Sequence, residues 1–159
     1  MREYVMCAIG LNGEYAKMHL ADIPAEQWTV QPEGLNMHPA SIVAHLVACN
    51  DFILVGAGGQ PTLPEAWAKF ADCPDAAAEA ADYPSKDELM SAFESTRARL
   101  IEILQQAAPE QLAEPTEEKM REIIPTQGAL LVMSLTIHDA IHLGQLAAWR
   151  KAMGLPIHI

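Results

Sequence analysis

His138 and His142 stand four residues apart in the stretch His138-Asp-Ala-Ile-His142. On a helix this spacing puts both rings on one face, one turn apart. Imidazole nitrogen is a good ligand for zinc, nickel, iron or copper, so the chemistry the pair suggests is the sharing of one divalent ion. The competing reading is a pair of surface or core histidines with separate partners. Leu135, Ile137 and Ile141 flank the first histidine, so the rings are expected to border an apolar stripe. Two unpaired imidazoles would find few hydrogen-bond partners there, and a shared ion would satisfy both. The motif lacks the glutamate beside the first histidine that zinc proteases use as a general base, which disfavours peptide hydrolysis of that type.

Other residues of chemical interest are read with a plainer alternative beside each. His45 lies among Val43, Ala44 and Leu46, and taken alone it reads as a hydrogen-bonded core histidine. His38 comes two turns before it, about 10.5 Å along a helix axis, too far to share an ion, and reads as a helix-start residue. Cys49, one turn past His45, is a small buried hydrophobe or a soft fourth ligand, with the hydrophobe favoured. Gln145 either lines a pocket or packs. Asp139 reads as a solvated charge, and His19 and His158, near segment ends, as solvated rings. Trp149 is assigned to the core or an interface. Trp67 and Phe70 are placed where they could roof a pocket.

The elements that must position these groups are helices. Tyr4, Val5, Ile9, Leu11, Tyr15 and Met18 mark a first helix over Arg2–Ala21, weakened by Gly10 and Gly13. A loop with Pro24, Pro32 and Gly34 leads to a second helix from His38-Pro39 to about Gly56, proline being suited to the first helical position. A long excursion from Gln60 to Pro84 follows, with a short helix expected over Pro64–Phe70 and a further turn over Asp75–Ala81. Such an excursion usually crosses a bundle or covers a site. Ser85 and Glu88 form a capping-box pair that starts a third helix, which runs to about Ala108. Pro109 and Pro115 bracket an acidic connection. A fourth helix is expected from Thr126 to Met153, closed by Gly154-Leu-Pro156. No segment alternates convincingly as a strand would. The fold class expected is all-α: one domain over residues 1–159, a four-helix bundle with a long crossover between helices 2 and 3.

Composition narrows the function. Half of the 159 residues are apolar, enough for a real core. Ten lysines and arginines against 21 aspartates and glutamates leave a formal net charge of −11, which argues against a nucleic-acid partner. The three cysteines, Cys7, Cys49 and Cys73, are odd in number and match no zinc or redox spacing, so reduced thiols in a cytoplasm are expected. Arg2 and Glu3 follow Met1 directly, and no secretory apolar stretch is apparent. No run of about 20 apolar residues suggests a bilayer span.

Two stretches carry a resemblance: Ser41-Ile-Val-Ala-His45-Leu, and His138-Asp-Ala-Ile-His142-Leu-Gly-Gln145-Leu-Ala-Ala-Trp-Arg150 followed by Gly154-Leu-Pro156. In order, spacing and chain length the sequence resembles the DinB-like (DinB/YfiT-like) superfamily of bacterial metal-binding four-helix bundles. The resemblance implies that His45, His138 and His142 bind one divalent metal ion (zinc, nickel, iron or manganese) between the helices. Many members carry a carboxylate one turn after the first histidine; this chain has Cys49 there and Asp51 two residues on. The activity implied is thiol-dependent S-transfer or isomerisation with a low-molecular-weight thiol, or metal-assisted hydrolysis. The alternatives are a non-catalytic metal- or small-ligand-binding bundle and a helical dimerisation module. A homodimer is compatible with all of these.

Overall fold

The computed structural model describes residues 2–72 and 80–158, and among them the protein is all-helical, with no strand. Four long helical runs carry the fold. They are α1 (Arg2–Ala21), α2 (Pro39–Gly56), α3 (Lys86–Gln106), and a last run made of α5 (Gln127–Met133), a π-helical turn Ser134–His138 and α6 (Asp139–Ala152). The short α4 (Pro109–Leu112) interrupts the acidic connection. The helix expected over Pro64–Phe70 is present as a 3-10 segment, Glu65–Ala71. Most of the turn expected over 75–81, together with Cys73, lies outside the described residues.

The start of α2 follows from local chemistry. His38 Nδ1 accepts the Ser41 N–H at 3.0 Å, the Ser41 hydroxyl in turn faces the His38 N–H at 3.1 Å, and Pro39 occupies the first helical position. This reciprocal arrangement meets two of the N–H groups that a helix start leaves without partners. From Pro39 to Ala48 every residue is buried. A helix that is apolar all round belongs inside a fold, and α2 packs against α3, α6 and the 3-10 segment. One core cluster holds Trp28, Val43, Val47, Phe93 and Trp149; the other holds Ile9, Leu54, Leu100, Leu131 and Leu135. Trp149 is thus a core residue, as expected.

By length and composition alone, Pro39–Gly56 and Gln127–Ala152 could each cross a membrane, which the search for an apolar run in the sequence did not anticipate. The first is 72% buried inside the fold, as a core helix is. The second carries Asp139 and Arg150 into the interior, at 1% and 0% exposure.

The first of these charges corrects the sequence reading. Asp139 is not solvated: it forms a buried ion pair with Arg97 of α3. Arg97 Nη2 also donates to the Ile9 carbonyl of α1 at 2.8 Å. One guanidinium therefore joins α1, α3 and α6. Gly13 has a reason here, because a Cβ at that position would stand 3.3 Å from Arg97 Nη2. Arg150 grips Asp22 with both ends of its fork, at 2.5 and 2.8 Å, and donates to the carbonyls of His19 and Pro156. This ties the end of α1 and the C-terminal tail to α6. His19 is buried, bonded through Nδ1 to the Tyr15 carbonyl at 2.9 Å. His158 is half-buried with its Nε2 3.0 Å from Arg150 Nη2. Neither ring is solvated in the way the sequence suggested.

Two outcomes follow. Arg97→Met leaves the Asp139 charge buried and alone, and should cost about 3–5 kcal/mol in denaturant unfolding; adding Asp139→Leu should recover most of that loss. Burial holds His38 down at about 4, below its ordinary value, and its Nδ1 must stay bare to accept the Ser41 N–H. Its contribution is present above the unfolded pKa of about 6.5 and is lost as pH falls towards 4, where the unfolded state binds the extra proton. His38→Asn, a cap that does not titrate, should flatten that part of the stability-versus-pH curve.

Candidate metal centre

The last helical run changes pitch where the chemistry begins. The π turn Ser134–His138 ends on His138, and His142 follows one turn into α6. A π turn inside a helix leaves main-chain carbonyls poorly matched to donors and is often found at functional sites. Here Asn12 of α1 supplies a donor, its Nδ2 reaching the Thr136 carbonyl at 2.7 Å and the Leu135 carbonyl at 3.4 Å. Ser134 Oγ donates to Asn50 Oδ1 at 3.1 Å, with both residues fully buried. This clasp fixes α2 against the π turn, near where His45 must meet His138. The Arg97–Asp139 pair fixes the same turn from the α3 side. Ile137 and Ile141, expected to make an apolar border for the rings, point outward at 61% and 56% exposure; Leu135 alone of the three flanking residues is in the core.

The three histidines converge. His45 Nε2 lies 3.2 Å from His138 Nε2, and His142 Nε2 lies 3.1 Å from the same atom. One ligand atom from each falls within 4.8 Å of the others. His45 and His142 are buried and His138 is half-buried. Burial pushes His138 down to about 4, with smaller contributions from the neighbouring rings. Burial also lowers His45 and His142, opposed by the Phe70 carbonyl for the first and by Gln145 for the second. At neutral pH all three are therefore uncharged, the form that binds metal.

The outer nitrogens decide which way the lone pairs face. His45 Nδ1 is 3.0 Å from the Phe70 carbonyl, and His142 Nδ1 is 2.7 Å from Gln145 Oε1. Facing oxygen acceptors, both Nδ1 atoms carry the proton, so both Nε2 atoms are bare. His138 Nε2 carries at most one hydrogen, enough for one of its two close neighbours. Proton placement within the neutral trio thus leaves a lone pair facing a lone pair. A cation among the three nitrogens removes that conflict. Nitrogens bound to one ion at about 2.0–2.1 Å stand roughly 3 Å apart, so the two contacts to His138 have the spacing that such a donor set needs. The carbonyl and amide on the outer nitrogens are the orienting contacts that metal-binding histidines commonly have.

The neighbours are placed as follows. Cys49 Sγ is 3.6 Å from His45 Nε2 and donates to the Ala71 carbonyl at 3.6 Å. Burial, with the nearby Asp72 charge, pushes its thiol up to about 11, so without a metal it is a protonated thiol beside the convergent trio. Gln145, undecided from sequence, orients His142. His38 is a helix cap, as expected. Asp51 is engaged by Thr62. Phe70 is buried and contributes its carbonyl, while Trp67 packs half-buried against the core. Sequence reasoning missed Asn12, Asn50 and Arg97. Arg97 did leave a signal: it falls on the buried stripe Leu89, Phe93, Leu100 and Leu104, where a charge demands a partner.

An all-helical protein with three neutral histidines converging from two helical runs is the class that fold and site define. The sequence profile of the DinB superfamily matches residues 11–146, a span that includes all three histidines, and the chain belongs to that superfamily. No curated protein matches the chain.

The protonation pattern is testable directly. In metal-free protein at pH 7, nitrogen-15 spectra should show His45 and His142 as Nδ1–H tautomers. Nε2–H signals from both would contradict the orientation described.

Proposed function

We propose that His45, His138 and His142 hold one divalent metal ion, and that the protein is a metal-dependent enzyme acting with a low-molecular-weight thiol in S-transfer or isomerisation. The observation that carries this is the convergence of three Nε2 atoms, those of His45 and His142 standing 3.2 and 3.1 Å from that of His138. Three protein ligands are the number typical of catalytic rather than structural zinc sites, which generally have four. When bound, a divalent ion supplies Lewis acidity that lowers the pKa of a thiol or water in the open position. The chain's own part is to hold the three imidazoles neutral, aim them through Phe70 and Gln145, and keep the site largely out of solvent. The thiol as co-substrate rests on the family resemblance, with metal-assisted hydrolysis the neighbouring alternative. The four-helix-bundle description belongs to the same reading: the four long runs would form the bundle, and the Gln60–Pro84 crossover would bring the Phe70 carbonyl to His45.

One observation favours a second reading. Cys49 Sγ stands 3.6 Å from His45 Nε2, close enough that a small shift would let it complete a closed four-ligand shell. The protein would then be a non-catalytic metal-binding bundle.

Elemental mass spectrometry of purified protein should find about one metal per chain. His45→Ala, His138→Ala and His142→Ala should each lose it while remaining folded by circular dichroism. Gln145→Leu should keep the ligands and weaken affinity about 10–100-fold. Protein that takes up none of zinc, nickel, iron or manganese would refute the site. Metal-loaded protein inert towards a broad panel of thiols with electrophiles would remove the thiol reading.

A further inference from the structure

A cavity of about 580 Å3, with none of the three histidines in its lining, opens between the outer face of α2 and the crossover segment that contains Glu65–Ala71. Its walls are largely apolar, with Phe52 and Val55 on α2 and Leu63 and Pro64 opposite. Phe52 and Val55 are 55% and 44% exposed, although α2 is wholly buried up to Ala48. Among the described residues, all charged side chains that line the cavity are carboxylates: Asp51, Glu65 and Asp72, with no lysine, arginine or histidine.

The carboxylates are not engaged by protein cations. Among the described residues none of the three is in an ion pair. Asp51 is held in place, since its Oδ1 accepts from both the N–H and the hydroxyl of Thr62 at 2.7 Å. Its Oδ2 takes no protein hydrogen bond among the described residues. A volume of this size is typical of small-molecule sites, which are mostly apolar with a few placed polar groups.

We propose that this cavity binds an amphiphilic organic cation, a protonated or quaternary amine carried on an apolar body. The apolar walls would take the body. The charge would meet the carboxylates and the face of Phe52, which attracts cations through its ring quadrupole. An anion of the same shape meets three like charges in a chain of net charge −11, and a neutral body gains only the walls. A bare metal cation would leave the apolar walls without a role. The lining includes none of the three histidines, so the site stands whether or not the metal reading does.

The test is calorimetric titration of the full chain with 4-phenylbutylamine, 4-phenylbutanol and 4-phenylbutyrate. The amine should bind about tenfold more tightly than the alcohol, and the carboxylate more weakly than either. Glu65→Gln with Asp72→Asn, both exposed positions, should remove most of the amine's advantage and leave the alcohol unchanged. Phe52→Ala should weaken amine and alcohol alike. His138→Ala should bind the amine as the unaltered chain does, which separates this site from the metal centre. No amine binding at millimolar concentration, equal binding of amine and alcohol, or an amine affinity untouched by the double substitution would each overturn the proposal.

Discussion

Two nitrogen–nitrogen contacts of just over 3 Å, in a place where none of the three rings is charged, set the main constraint on this molecule. Nitrogen lone pairs at that distance repel unless a proton or a cation lies between them. The outer nitrogens of His45 and His142 are committed to oxygen acceptors, so only His138 has a proton to offer, enough for one of the two contacts. Much of the surrounding polar structure can be understood as what keeps three such rings together in a low-dielectric interior, where an unmet polar group is costly.

The supports come from every long helical run. Asn50 on α2 clasps Ser134, Asn12 on α1 serves the carbonyls of the π turn, and Arg97 on α3 pairs with Asp139 immediately after His138. The Asn50–Ser134 and Arg97–Asp139 contacts are buried in the core, the Asn12 contact is half-buried, and each lies within a turn or two of a site histidine. Hydrophobic packing holds the helices together but is non-directional. It cannot by itself set two rings at a chosen separation. The buried polar contacts supply that register, and the 3-10 segment adds the Phe70 carbonyl behind His45.

The parts of this arrangement that could be read from sequence are those with a local signature. The caps at His38-Pro39 and at Ser85 with Glu88, the stop at Gly154-Leu-Pro156, and the four-residue step from His138 to His142 all act within a few residues of chain. The long helices follow from them and from apolar periodicity. His45 had no such signature, because a single histidine in an apolar helix looks the same whether or not other rings approach it. Asp139 was misread for a related reason. Its partner Arg97 is 42 positions earlier by subtraction of their numbers, and adjacency to an expected ligand said nothing of depth. Ile137 and Ile141 misled in the opposite sense, being apolar but outward-facing. The π turn has no sequence signal that we can name. A charged or amide residue lying on an apolar stripe was the most useful clue left unread, and Arg97, Asn50 and Asp139 all answer to it.

X-ray absorption on protein loaded with one equivalent of zinc tests the central claim most directly, because it counts and types the atoms around the ion. The account predicts a first shell with three imidazole nitrogens, no sulfur, and a remaining light-atom ligand from solvent. A shell containing sulfur would bring Cys49 into the site and close it, and fewer than three imidazoles would mean that the convergence of His45, His138 and His142 is not a metal centre.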